Sequence, residues 1–107
     1  MAYPKLIKET KDLLEDKKGE DITIIDVRDR TPFTDYYILV TAPNMRAIGA
    51  YADALEEFFQ NKSEDLRQSE GQPESGWVLV DAGEVVVHIF SAPKRQEMNL
   101  EDLFNKH

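Results

Sequence analysis

The sequence predicts a fold of the α/β class in its α+β, two-layer form: a mixed β-sheet with helices packed on it. Three observations carry this. The stretch SGWVLVDAGEVVVHIF, Ser75 to Phe90, holds two apolar, β-branched runs around Asp81-Ala82-Gly83-Glu84, the pattern of two buried antiparallel strands. DITIIDVR (Asp21–Arg28) and YYILVT (Tyr36–Thr41) read as two further strands. Two amphipathic stripes, one before and one after that pair, read as helices, so helices and strands must share one core.

The elements follow in order. Pro4 suits a first helical turn, and Leu6, Ile7, Thr10, Leu13 and Leu14 recur at spacings of three and four. Lys17 and Lys18 fill a last turn and Gly19 is a natural stop, so helix one covers residues 4–18. Asp29-Arg30-Thr31-Pro32 is a turn between the first two strands. Asn44 is an N-cap for helix two, whose stripe runs Met45, Ile48, Tyr51, Ala52, Leu55, Phe58 and Phe59. Gly49 and Ala50 would let this helix approach the sheet closely. Glu64 to Arg67 could hold a short strand, and Glu70 to Gly76 reads as a mobile loop. After Phe90, Ser91-Ala92-Pro93 ends the sheet, and Asn99 caps a short terminal helix with Leu100, Leu103 and Phe104 on its apolar edge.

Two hairpin registers are open. A two-residue Ala82-Gly83 loop would need a positive φ at Ala82, and it would set Trp77 beside His88. A three-residue loop with Gly83 as a left-handed bulge asks nothing unusual of any residue and is favoured. It places Trp77, Leu79, Val85 and Val87 on one face, and Val78, Val80, Val86, His88 and Phe90 on the other. Both faces are then largely apolar. Helices can cover one; a partner protein is a candidate for the other.

A chain of 107 residues is expected to form one domain, residues 1–107, with a single core. Hydrophobic residues make up 41% and charged residues 32%, which fits a folded, soluble protein. The lack of cysteine rules out a disulfide framework and thiolate metal sites. No apolar run approaches the ~20 residues needed to cross a bilayer, so no membrane role is expected. The N-terminus MAYPKLIKETKDLL is too charged for a secretory signal, and a cytoplasmic location is expected. A net charge of −8 repels phosphate backbones, so direct nucleic-acid binding is disfavoured, while a basic protein partner is suited.

Catalytic signals are sparse. His88 and His107 are the only histidines, and no spaced metal cluster, glycine-rich phosphate loop or nucleophile elbow is present. His88 within a valine-rich strand reads as a packing residue. Asp26, Asp29 and Asp35 could be drawn as a magnesium site, but they read more naturally as carboxylates of strand ends and turns. No cofactor is expected and an enzyme is not supported.

Taken together, Asp21-Ile22, Asp26-Val27, Thr34-Asp35-Tyr36-Tyr37-Ile38, Glu70-Gly71, the block Trp77-Val78-Leu79-Val80-Asp81-x-Gly83-Glu84-Val85-Val86-Val87-His88-Ile89-Phe90, Arg95, and Leu100-Glu101-x-Leu103-Phe104 resemble the Iojap-like ribosomal silencing factor family. The likeness covers nearly the whole chain. It implies a fold related to that of nucleotidyltransferases, without their Gly-Ser and paired-aspartate signature. It further implies a cytoplasmic protein that docks on large-subunit ribosomal protein fourteen (uL14), blocks joining of the small subunit and represses translation. Trp77, Asp81, Gly83, His88, Arg95, Leu100, Glu101, Asp35 and Tyr36 match the family pattern. Glu97, Met98 and Phe104 depart from it, since the family has aromatics at the first two positions and a tryptophan at the third.

The partner-binding set expected on these grounds is Trp77, Leu79, Asp81, Glu84, His88, Tyr36, Arg95, Leu100 and Glu101. Trp77 would supply a buried anchor, and Asp81 and Glu84 would pair with lysine or arginine at the hairpin tip. Two alternatives remain open: a diverged nucleotidyltransferase using the acidic residues with magnesium, and a homodimer formed through the apolar sheet face.

Overall fold

The structure, a computed structural model, describes residues 3–62 and 68–105. It is a five-stranded mixed sheet with helices on both faces, an α+β fold. The elements are α1 (Lys5–Asp16), β1 (Glu20–Asp26), β2 (Tyr36–Thr41), α2 (Met45–Asn61), β3 (Gln68–Gln72), a 3-10 turn (Pro73–Ser75), β4 (Trp77–Asp81), β5 (Val85–Phe90), α3 (Ala92–Met98) and α4 (Leu100–Asn105). Strand order is β1-β2-β5-β4-β3. Only β2 and β5 pair in parallel; the other three pairings are antiparallel. Among the described residues no helix is long and apolar enough to cross a membrane.

The inner face of the sheet is aliphatic. Ile38 and Val40 of β2, Val85, Val87 and Ile89 of β5, and Val78 and Val80 of β4 pack against Ile7 and Leu14 of α1 and Ile48, Leu55 and Phe59 of α2. Each of these large side chains, fully buried, contributes about 1.5–3 kcal/mol. Asn44 caps α2 as expected: its Oδ1 accepts from the Ala47 N–H at 2.8 Å. Gly49 does not serve close helix–sheet packing. It faces Pro73 across ordinary contact distance, and Ala50 is exposed.

The end of α1 differs from the expected glycine stop. Lys18, not Gly19, takes the left-handed conformation (φ 70°), with Lys18 N–H donating to Glu15 O and Gly19 N–H to Leu14 O. Gly19 is demanded by space, since a Cβ there would come within 2.6 Å of Val40 Cγ2.

The hairpin corrects the favoured register. Trp77 lies opposite Phe90, Leu79 opposite His88 and Asp81 opposite Val86, so the two turn residues are Gly83 and Glu84. Trp77 and His88 therefore share a face, as the tighter loop would have had it, with the pairing displaced by two residues. The cause is the inner face. This register lines Val78, Val80 and Ala82 with Val85, Val87 and Ile89 against the helices and sends Trp77, His88 and Phe90 outward together. Gly83 takes the only positive φ of the turn (89°). Its N–H is met by Asp81 Oδ1 at 2.9 Å, and Ala82 N–H donates to Val85 O at 2.9 Å.

Two further expectations change. The segment taken for a mobile loop begins as strand β3, paired with β4 from Gln68↔Asp81 to Gln72↔Trp77, and continues as the 3-10 turn. The strand expected at Glu64–Arg67 lies outside the described residues. An extra helix, α3, follows β5, with Ser91 Oγ accepting from Lys94 N–H and Pro93 in the first turn. Asn99, at φ 47°, is its left-handed terminus and stands immediately before α4, its carbonyl accepting from the Leu103 N–H at 3.3 Å.

β3 depends on Gly71. It sits at φ 95°, and a Cβ at that position would collide with the Trp77 carbonyl. Gly71→Ala is expected to destabilise the fold by about 2–3 kcal/mol, measured by urea unfolding, and to release β3 from β4. Unchanged stability would show that this edge is not held as described.

Candidate partner-binding face

The outer face of the sheet carries Thr23 and Ile25 (β1), Tyr37, Leu39 and Thr41 (β2), Val86, His88 and Phe90 (β5), Trp77, Leu79 and Asp81 (β4), and Glu70 and Gln72 (β3). Helices α3 and α4 cover only part of it. Met98, Leu100 and Phe104 pack over Ile25, Val27, Leu39 and Phe90, and Phe104 closes edge-on against Tyr37 at 5.0 Å. Beyond Phe104 no helix lies on the sheet among the described residues. Tyr37, Val86, Trp77, Leu79 and Asp81 are half-buried there, and Glu70 is exposed.

An internal bond fixes Trp77. Its Nε1–H donates to His88 Nδ1 at 3.2 Å, and its ring stacks on Phe90 and His88 at 5.7 and 6.0 Å. Accepting at Nδ1 leaves the proton of the neutral imidazole on Nε2. That nitrogen is buried and has no hydrogen-bond partner among the described residues. His88 is 5% exposed, and burial lowers its pKa to about 4. Tyr37 meets the same imidazole edge-on at 4.6 Å. Burial pushes the Tyr37 phenol up, and the nearby Asp81 carboxylate adds to the shift.

Of the nine residues singled out by sequence, Trp77, Leu79, Asp81 and His88 come together on this face, with Leu100 at its covered edge. Glu84 is at the hairpin tip with its side chain exposed. Its carbonyl accepts from the N–H groups of Asp35 and Tyr36 at 3.2 and 3.1 Å, welding the tip to β2. Tyr36 lies on the opposite, inner face, edge-on to Tyr3 at 5.9 Å and beneath the Arg28 guanidinium at 5.4 Å.

Arg95 and Glu101 form a lock beside the face. The guanidinium meets both Glu101 oxygens at 3.0 Å and donates to Thr41 Oγ1 at 2.9 Å and Thr23 Oγ1 at 3.0 Å. It ties α3 and α4 to β1 and β2, and it holds the Glu101 carboxyl below the usual range. Arg95→Met is expected to cost about 2 kcal/mol, less than a fully buried pair because Glu101 is partly solvated. Hydrogen exchange should then accelerate in α3 and α4 ahead of the strands; uniform exchange would mean that the lock does not hold the helices.

Sequence reasoning did not single out Tyr37 and Val86, because the alternation that places them beside Trp77 depends on strand order. Among the three carboxylates drawn as a magnesium site, Asp26 is forked onto Arg28 at 2.6–3.2 Å, which lowers its pKa. Among the described residues no group of three or more His, Cys, Asp or Glu side chains could hold a metal ion.

Comparison with known proteins follows the same lines. The family model described as "Ribosomal silencing factor during starvation" matches residues 1–107. A ribosomal silencing factor of Haemophilus influenzae is 34% identical over 104 residues, 97% of this chain and 99% of that protein. The chloroplastic Iojap protein of Arabidopsis thaliana is 32% identical over 89 residues, 83% of this chain and 37% of that protein. A crystal structure of a Chromobacterium violaceum protein aligns with a TM-score of 0.90 and 32% identity, covering 100% of this chain and 89% of the other. With a match that runs from end to end in sequence and in fold, the chain belongs to the Iojap-like ribosomal silencing factor family.

Proposed function

We propose that this protein silences ribosomes by steric exclusion, acting in the cytoplasm without catalysis or cofactor. The open half of the outer face docks on the large subunit through a basic ribosomal protein, uL14 by the family resemblance. The bulk of the protein then overlaps the position the small subunit must take, subunit joining is blocked and translation is repressed.

What supports this reading above all is a half-covered sheet face whose exposed part is apolar and whose rim is acidic. Trp77, Leu79, Val86 and Tyr37 provide a desolvating centre. Asp81, Glu84 and Glu70 border it, on a chain of net charge −8. A partner with apolar and cationic groups side by side satisfies both parts; a nucleic acid does not.

Co-sedimentation with isolated large and small subunits tests the proposal. The protein should pellet with large subunits alone and should prevent their joining to small ones. Binding to neither subunit, together with thermal stabilisation by a nucleoside triphosphate and magnesium, would favour the nucleotidyltransferase alternative. Sedimentation of the free protein reports whether the same face also pairs two copies.

A further inference from the structure

Between β3 and β4 the open face is indented by a notch of about 290 Å³ lined by Glu70, Gly71, Ser75, Trp77 and Leu79. Its walls are chemically unequal. Trp77 supplies an aromatic surface and Leu79 an aliphatic one, and Gly71 leaves its part of the lining without a side chain. The Ser75 hydroxyl is turned back onto the main chain, donating to Gln72 O at 2.7 Å. Glu70 is exposed beside it, and its carboxylate makes no hydrogen bond or ion pair with the described residues.

The indole is presented to the notch in one electrostatic sense. Its N–H, the only positive polar group on the ring, is consumed by His88 Nδ1. What faces outward is carbon and π-surface, which attracts a cation rather than repelling it. A carboxylate next to an aromatic wall is the recognition chemistry of a guanidinium: the plane stacks on the ring, the methylene stem covers Leu79, and the fork takes the carboxylate bidentately.

We propose that this notch is the pocket for a single arginine side chain of the docking partner, stacked on Trp77 and paired with Glu70. This deepens the reading of the face as a docking surface and rests on it. The pocket itself is a property of this chain and can be tested without ribosomes.

Titrating the full chain with N-acetyl-arginine amide should shift the Trp77 indole N–H and the Glu70 amide resonances in NMR spectra, saturably. The neutral citrulline counterpart should move neither, and Glu70→Gln should abolish the arginine response. A lysine derivative should give a weaker shift at the same concentration. Equal responses to arginine and citrulline, or none to arginine, would overturn the pocket.

A second arm asks whether docking uses it. Glu70→Lys should weaken co-sedimentation with large subunits by about tenfold, while Glu57→Lys, the same charge change on the exposed side of α2, should have little effect. Equal losses would reduce the effect to net charge and overturn the role of the pocket in docking. A wild-type protein that takes arginine but ignores large subunits would sink the docking function and leave the pocket standing.

Discussion

Leu79→Lys is expected to weaken binding to the large ribosomal subunit by about a hundredfold while leaving the thermal midpoint nearly unchanged. Leu79 lies in the middle of the open half of the outer face, half-buried, between the notch on one side and His88 on the other. It makes no hydrogen bond that its replacement would orphan. A lysine stem can lie along the strand and keep its ammonium in water, so the fold tolerates it. Its charge, however, would oppose the basic partner proposed for this face, in what would be the driest part of the contact. Trp77 and Asp81 are poorer probes, because both carry structure. Trp77→Ala would strip the rings of Phe90 and His88 and leave Nδ1 without its donor, and Asp81→Lys would free the Gly83 N–H at the turn. Full affinity of the Leu79 variant in a subunit pelleting assay would rule this face out as the docking surface.

The second large effect is acid lability. His88 is held neutral in the fold, with a pKa lowered by burial from 6.5 to about 4. Between those values the unfolded chain takes up a proton that the folded chain refuses. Stability is therefore intact above pH 6.5 and falls as the pH drops toward 4, by about 3 kcal/mol in all. Glu101 loses its contribution at lower pH, through its own depressed value below 4.5, so the two windows are separable. Urea unfolding followed by the fluorescence of the single tryptophan, Trp77, is the measurement. His88→Gln, which keeps an acceptor for the indole and does not titrate, should flatten the decline between pH 6.5 and 4.5. An equal slope in the variant would place the acid sensitivity elsewhere.

The strands β2 and β5 and the helix α2 were legible because their burial is a matter of composition and period. YYILVT, VVVHIF and the stripe from Ile48 to Phe59 have few other ways to hide their apolar surface. β3 was not legible, since QSEGQ holds no apolar side chain. It is a strand only because the free edge of β4 offers it backbone partners and Gly71 can adopt a left-handed turn beside Trp77. α3 was hidden by its own start signal: Ser91 and Pro93 end a strand as readily as they open a helix.

The candidate face divides the same way. Trp77 and His88 stand out by rarity of type, but their mutual bond required the register, which local turn preference misassigned. Arg95 matched a pattern, yet its tie to Thr23, Thr41 and Glu101 joins four elements and exists only in three dimensions. Glu70 was seen only as part of a pattern, because nothing local distinguishes a carboxylate that borders a notch from any other solvated one.

The parallel seam between β2 and β5 sets a timetable for the nascent chain. β2 is complete at Thr41, but its permanent neighbour begins only at Val85, after residues 42–84 have been made. Until Phe90 clears the exit tunnel, Tyr36–Thr41 presents an unsatisfied aliphatic border that α1, β1 and α2 shield only on their own sides. Closure of the sheet therefore awaits synthesis of residues 85–90, and the outer face proposed here for docking cannot form on a nascent chain that has not reached Phe90.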